Sequence, residues 1–254
     1  MKDETAAVFG RAAATYDTVI PFFSRFGQLL VDAADIAAGE HVLDVAAGRG
    51  ASALPALERV GPSGRVLAVD LSPEMVALLQ EAGLDARVMD AEALDLADDT
   101  FDAVLCGMSV MFFPDLAGAF REWRRVLRDG GRVSVSTFSG ANEELSFFGQ
   151  VVGPHLAVAD VAPPTPPSLD LDGAFAAAGF AHVEHRDCEE AFVLPDEDAW
   201  WRWVWSQGQR VMLERLPDDV VEQVREECFA HLRPHRTDEG YVLTQRARLT
   251  LARC

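Results

Sequence analysis

The stretch "HVLDVAAGRGASAL", residues 41–54, runs apolar, acidic, small and glycine-bearing, then apolar again. "HVLDV" is short and almost continuously apolar, as a strand covered on both faces should be. The small residues behind it predict a tight turn, and "SALPALERV" predicts a helix ended by "GPSG". Such a turn can cradle a ligand, and its residue types restrict which one. A dinucleotide turn needs G-x-G-x-x-G, a spacing that Ala46-Ala47-Gly48-Arg49-Gly50 does not supply. A phosphate loop ends in Lys-Ser or Lys-Thr, and Lys2 is the only lysine in the chain. Asp44, standing before the glycines, would repel a phosphate.

The same rhythm continues outward. "RVLAVD" is a second buried strand, and Ser72-Pro73 opens a helix with serine as N-cap and proline in the first turn. "ARVMD" predicts a third strand and "FDAVLCGMSV" a fourth. "DLAGAFREWRRVLRDGG" predicts an amphipathic helix stopped by Gly-Gly, and "RVSVSTF" a fifth strand. Apolar strands alternating with helices indicate a parallel sheet with helices on both faces. Upstream, residues 5–38 predict two helices. Downstream, "ELSFFGQVVGPHLAV" predicts one or two helices, "APPTPPS" (162–168) a loop, and "LDGAFAAAGF" a short helix. "HVEHRDCEEAFVL" and "GYVLTQRARLTLARC" alternate as strands do. Two helices lie between them, the first being "DAWWRWVWSQGQRVMLERL". The expected fold is α/β: a doubly wound, mostly parallel seven-stranded sheet with N-terminal helices and a helical lid between the last strands. One domain, 1–254, divides into a helical cap (1–38), a ligand-binding core (39–140) and lid helices with the last two strands (141–254).

Composition excludes several function classes. The 254 residues carry a formal net charge of −19. Nucleic-acid binding rests on neutralising phosphates, so neither DNA nor RNA is an expected partner, and anionic membrane surfaces are disfavoured for the same reason. Cys106, Cys188, Cys228 and Cys254 form no C-x-x-C pair, so no metal site is expected. No apolar run reaches the roughly 18 residues of a membrane helix, and the start lacks a signal-peptide core. The expected location is the cytoplasm, as a monomer or homodimer.

Ligands of doubly wound sheets bind outside the carboxyl ends of the strands. Asp70 ends the second strand, 20 residues after Gly50, where a carboxylate accepts the hydroxyls of a ribose. Asp90, after the third strand, can accept from an adenine amino group, with the Ala91 N–H meeting a ring nitrogen. Gly48 and Gly50 let the backbone approach the ligand closely. Asp44 can face a ligand ammonium or orient the turn. Gly107-Met108-Ser109-Val110-Met111 misses a hydrolase elbow at its last position.

At these residues the sequence resembles the class I S-adenosylmethionine-dependent methyltransferases. The closest group is the small-molecule branch with the ubiquinone/menaquinone C-methyltransferases and natural-product tailoring enzymes. "VLDVAAGRG" is similar to that family's D/E-x-G-x-G-x-G motif, with Ala46 replacing the first glycine. "VLAVDLSPEMV", "VMDAEAL", "FDAVLCGMSVMFFPD" and "RVLRDGGRVSVSTF" follow in the family's order, and "ATYD" (14–17) matches a motif near the branch's N-terminus. The resemblance covers roughly residues 10–140. It implies S-adenosyl-L-methionine as cofactor. By the same resemblance, Asp44 and the Ala46–Gly50 turn hold its methionine part, and Asp70 its ribose. Leu71 and Met75 lie against the adenine, while Asp90 and Ala91 read its edge. Cys106 takes the ammonium through its backbone carbonyl, and Tyr16 closes over the sulfonium.

Methyl transfer from a sulfonium is an in-line displacement that needs positioning and exclusion of water. No strong general base stands out; Tyr16 and, in the segment after the fifth strand, His155 are the weak catalytic candidates. Met108, Met111, Phe112 and Phe113 either line the pocket or simply pack. The "WWRWVW" run (200–205) is either a packed lid helix or an aromatic substrate wall. These features imply a small, apolar or aromatic acceptor methylated on C, N or O. The alternatives are a cyclisation or other non-methylating reaction in which the cofactor is structural, and a non-catalytic binding protein.

Overall fold

A computed structural model describes residues 2–142, 146–159 and 169–254. The loop expected over 162–168 lies outside the described residues. Two helices, α1 (Lys2–Ala12) and α2 (Phe22–Ala34), precede the sheet. Then follow β1 (His41–Val45), α3 (Ala53–Val60), β2 (Arg65–Asp70), α4 (Pro73–Glu81), β3 (Asp85–Val88), β4 (Phe101–Gly107), α5 (Leu116–Val126) and β5 (Leu127–Ala141). The second half holds α6 (Phe148–Val158), α7 (Leu171–Ala177), β6 (Ala181–Leu194), α8 (Glu197–Trp205), α9 (Arg210–Leu213), α10 (Asp218–Leu232) and β7 (Tyr241–Arg253).

The strands form one seven-stranded sheet in the order β3-β2-β1-β4-β5-β7-β6. β1 pairs in parallel with both β2 and β4, Val42 facing Val66 on one side and Ala103 on the other. The strand order therefore reverses between β1 and β4, where such a sheet opens a crevice. β7 is antiparallel to both β5 and β6. Successive residues of a strand face opposite sides, so Leu43 and Val45 join a core with Phe120, Trp123 and Phe175, while Val42 joins Leu30, Val31 and Leu79. A third cluster joins α2 to the lid: Phe22, Phe26, Phe148, Trp200, Trp203 and Phe229 pack together with Met108.

Local chemistry explains the boundaries. Ser72 caps α4, its Oγ accepting from Met75 N at 3.2 Å, and Asp115 caps α5 by accepting from Gly118 N at 2.8 Å. Two expectations need correction. The helix predicted to stop at Gly-Gly stops at Val126, and β5 already begins at Leu127, because Leu127 pairs with Phe101 before the register shifts to Arg132 beside Ala103. The long tryptophan-rich helix divides into α8 and α9 at Ser206–Gln209. There the Ser206 hydroxyl turns back to the Trp203 carbonyl at 2.8 Å. A Cβ on Gly208 would stand 3.4 Å from Phe9, so the turn presses against α1.

Candidate active site

The Gly-bearing turn is held from three sides. Asp70 anchors it: Gly48 N–H donates to Asp70 Oδ2 at 2.8 Å, and Ser72 N–H to Oδ1 at 2.9 Å. Arg49 reaches to the segment before α2, donating to the Tyr16 carbonyl at 2.9 Å and more weakly to that of Ala14 at 3.4 Å. α2 presses on the turn at Gly27, where a Cβ would lie 2.1 Å from the Ala51 carbonyl oxygen, so only glycine permits this approach. Asp17 fixes Tyr16 in turn. Its carboxylate accepts from Phe23 N at 2.7 Å, from Ser24 N at 2.8 Å and from the Ser24 hydroxyl, closing the start of α2. The Tyr16 ring stacks on Phe23 at 4.5 Å and meets Phe9 edge-on at 6.0 Å.

Two cavities meet at Tyr16, Ala46, Gly48 and Ser109. The first, about 770 Å³ and partly open to solvent, is bounded by the ends of β1, β2, β3 and β4 and roofed by α1. Of the residues singled out in the sequence, Tyr16, Ala46, Gly48, Asp70, Leu71, Met75, Asp90 and Ala91 line it. The second, about 790 Å³, extends past Gly50 toward Asp17, Arg49 and Glu58. Burial raises the Asp70 carboxyl above its ordinary range despite the backbone donors around it. Burial, and then Asp17 and Asp70 nearby, push the Tyr16 phenol well above its usual value, so it stays neutral. The Ala91 carbonyl accepts from Trp123 Nε1 at 2.9 Å, which holds this segment against the core.

Three of the singled-out residues line neither cavity. Asp44 is 1 % exposed, behind the turn, where it accepts from the Ala53 backbone N–H. Of its two sequence readings, the orienting one matches this position. Cys106 is fully buried, because β4 continues through Gly107, which pairs with Ser136. The strand end therefore reaches the cavities at Gly107, Met108 and Ser109. Burial pushes the Cys106 thiol well above its usual range, leaving it inert. His155 lies on α6 and faces Glu227 of α10 at 3.2 Å. Among the described residues no histidine lines either cavity. Phe112 and Phe113 do line the first cavity, whereas none of the tryptophans of α8 does.

The sequence reading missed the roof. Lys2, Thr5, Ala6 and Phe9 project from one face of α1 into the first cavity. Their helical spacing was the signal available. Lys2 ion-pairs with Asp90 at 2.7 Å and also with Glu92. α1 is held by Arg11–Glu214 and by Arg215–Glu4 at 2.6 Å, which tie it to the segment around α9.

Strain collects at this site. Ala46 has φ 51° and Met108 φ 51°, the left-handed region that non-glycine residues avoid, and both line the first cavity. Ala46→Gly should relieve about 1–2 kcal/mol of steric cost and lose about 0.5–1 to chain entropy. Chemical denaturation should therefore show a stability gain of up to about 1.5 kcal/mol. A loss would mean that the Ala46 methyl packs usefully.

Asp44→Asn tests its role directly. Burial, with the nearby Asp70 charge, raises the folded carboxyl well above the unfolded value. Between those two pKa values the folded state holds a proton that the unfolded chain has released. Wild-type stability thus falls as pH rises through the raised pKa. Asparagine keeps an oxygen for Ala53 N–H and cannot ionise. The variant should match wild type in acid and gain stability, by about 0.5–2 kcal/mol, as the pH climbs. Melting temperatures across pH read this, and parallel curves for both proteins would refute it.

Comparisons with known proteins agree with this architecture. The methyltransferase domain family matches residues 43–135. The nocamycin O-methyltransferase of Saccharothrix syringae is 34% identical over 90% of each chain. The aklanonic acid methyltransferase of Streptomyces sp. strain C5 is 36% identical over 54% of this chain and 66% of its own. The crystal structure of the YcgJ protein of Bacillus subtilis shares the fold, with a TM-score of 0.56 at 20% identity over 90% of this chain and 97% of its own. With the motifs in order around the β1–β4 crevice, and the 34% identity to the nocamycin O-methyltransferase sustained over 90% of both chains, this chain belongs to the small-molecule branch of the class I S-adenosylmethionine-dependent methyltransferases.

Proposed function

We propose that the protein binds S-adenosyl-L-methionine in the first cavity and transfers its methyl group to a small, oxygen-bearing apolar or aromatic acceptor in natural-product biosynthesis. The observation that carries this is the chemistry of the lining. Asp70 and Asp90 stand at adjacent strand ends between the apolar faces of Leu71, Met75, Phe112 and Phe113. Lys2, the one basic side chain among the described residues of that lining, is already paired with Asp90 and Glu92. Carboxylates flanked by apolar walls suit hydroxyls, amines and a flat base, and they disfavour phosphates. The positive φ of Gly48 leaves the turn bare, with Tyr16 the nearest atom to a built Cβ at 3.8 Å. A ligand can therefore lie close against the backbone.

When bound, the cofactor supplies an electrophilic methyl group on a sulfonium. The protein's own residues then position and enclose. Asp70 holds the ribose hydroxyls while keeping Gly48 in place, and Asp90 with Ala91 meets the adenine edge. Gly50, Gly107 and Ser109, which line the second cavity, surround the amino-acid end. Tyr16 and Phe9 shut out water. With no histidine among the described residues of the lining, rate comes from proximity, and the acceptor is an acidic hydroxyl, an enolic carbon or an amine that needs little help from a base. The relatives named for nocamycin and aklanonic acid support an acceptor of this kind.

Incubation with methyl-labelled cofactor and a panel of phenols, enols and polyketide-like acids is the test, alongside calorimetry with S-adenosylhomocysteine. Labelled product from at least one acceptor is expected. Absence of calorimetric binding would remove the cofactor assignment. Tight binding without transfer to any acceptor would favour a non-methylating reaction on the same fold.

A further inference from the structure

The second cavity holds a cation that the fold leaves half used. Among the described residues, Arg49 is the one basic side chain in its lining. A guanidinium carries five N–H donors in a rigid fork. In Arg49 a single nitrogen, Nη1, makes all the hydrogen bonds to described residues, to the Tyr16 carbonyl at 2.9 Å and the Ala14 carbonyl at 3.4 Å. Nε and Nη2 have no partner among the described residues, and neither is sealed from solvent.

That is unexpected in a chain with a net charge of −19. Elsewhere Arg59, Arg125 and Arg132 are each paired with a carboxylate. Asp17 and Glu58 line the same cavity as Arg49, yet it forms an ion pair with neither. Asp17 is engaged by Phe23 N–H, Ser24 N–H and the Ser24 hydroxyl. Glu58 is exposed, so water and salt screen its charge.

The remaining donors are pre-organised. Tying Nη1 to two carbonyls fixes the guanidinium against the segment before α2. The open edge, Nε with Nη2, can grip a carboxylate by two parallel hydrogen bonds. Apolar surface stands beside it, since Phe23, Leu54 and Pro55 share the lining and Leu54 is 37 % exposed. The space, about 790 Å³, leaves room for a ring system beyond the short amino-acid end of the cofactor. The two cavities meet at Tyr16, Ala46, Gly48 and Ser109, so a molecule in the second lies beside the junction.

We infer that the acceptor is a carboxylate-bearing molecule anchored in the second cavity, its carboxylate paired with Arg49 Nε and Nη2 and its apolar body against Phe23, Leu54 and Pro55. This rests on the methyltransferase reading of the first cavity, which puts the methyl group near the junction. The cofactor brings a carboxylate of its own, and the experiment separates the two.

1-Naphthoate and 1-naphthamide share a shape and differ in charge. Equilibrium dialysis measures the binding of each to the full chain, with S-adenosylhomocysteine saturating. Wild type should hold 1-naphthoate about tenfold more tightly or better, as a charge-assisted pair predicts. Arg49→Gln, which keeps a donor for the Tyr16 carbonyl, should weaken 1-naphthoate alone and bring the two probes within about twofold of each other. Arg49→Lys keeps the charge without the fork and should retain an intermediate preference; if Arg49→Gln does not fold, that intermediate value carries the test. Calorimetry then compares S-adenosylhomocysteine with 5′-methylthioadenosine, which lacks the amino-acid end. Any loosening of the turn should weaken both in Arg49→Gln, leaving their affinity ratio within about threefold of wild type. A loss confined to S-adenosylhomocysteine, with the naphthoate preference intact, assigns Arg49 to the cofactor and overturns the inference. A wild type that binds the naphthalene probes equally, or binds neither, overturns it too. So does a variant that loses both alike, the mark of a merely structural arginine. Failure of the functional reading is separate, since it shows as absence of S-adenosylhomocysteine binding in wild type.

Discussion

Replacing Asp70 by alanine is expected to weaken S-adenosylhomocysteine binding by about a hundredfold or more. Hydrogen bonds to a charged group contribute about 1.5–3 kcal/mol each, and in the proposed binding mode a ribose presents two hydroxyls to this carboxylate. Every 1.4 kcal/mol is tenfold in affinity. The substitution also frees Gly48 N–H and Ser72 N–H, which Asp70 now holds at 2.8 and 2.9 Å. The turn should therefore loosen in addition to the lost contact. Asp70→Asn keeps one carbonyl oxygen and should fall between wild type and alanine. Acidification should act in the same direction. Burial raises the Asp70 carboxyl, so affinity should decline as pH falls through a value above the ordinary aspartate range of about 3.9. Calorimetry on both variants across pH decides the matter; equal affinities for wild type and Asp70→Ala would eliminate the ribose assignment.

Trp200→Ala is expected to cost about 3–5 kcal/mol of folding stability, the range for removing a large buried aromatic side chain. Trp200 is fully buried, stacked on Phe147 at 5.2 Å with Phe148 edge-on at 6.1 Å. It anchors the lid's own cluster with Val204, Phe229 and Tyr241. It lines neither cavity, so the folded variant should bind S-adenosylhomocysteine within about threefold of wild type, under about 0.7 kcal/mol. Urea unfolding followed by circular dichroism measures the first effect and calorimetry the second. A cost below about 1 kcal/mol, the ordinary effect of a single substitution, would contradict the packing. A large loss of affinity in the folded variant would revive the aromatic wall.

The core of the site was legible because it is local. Ala46 and Gly48 follow β1, Asp70 ends β2 and Asp90 follows β3, and a parallel sheet brings the ends of neighbouring strands together. Spacing along the chain thus becomes proximity in space. Ser72 capping α4 was legible for the same reason, since a cap bonds three residues away. Cys106 shows where local reading ends. Whether the last strand residue faces the ligand depends on how far the ladder continues, and Gly107 still pairs with Ser136 on a neighbouring strand.

The amino-acid sequence by itself determined the layer architecture, the crevice and most of the residues lining its floor. Tertiary structure alone decided the roof and the lid. Lys2 reaches Asp90 across 88 positions and Arg215 reaches Glu4 across 211. No periodicity encodes pairings at such separations; they arise because α1 is laid over the strand ends and clasped by the segment around α9. The same holds for the break at Ser206–Gln209. A tryptophan-rich stretch with helical spacing favours one continuous helix by propensity. At this turn Gly208 stands against Phe9 and Phe112, and Gln207 Nε2 is left buried without a partner.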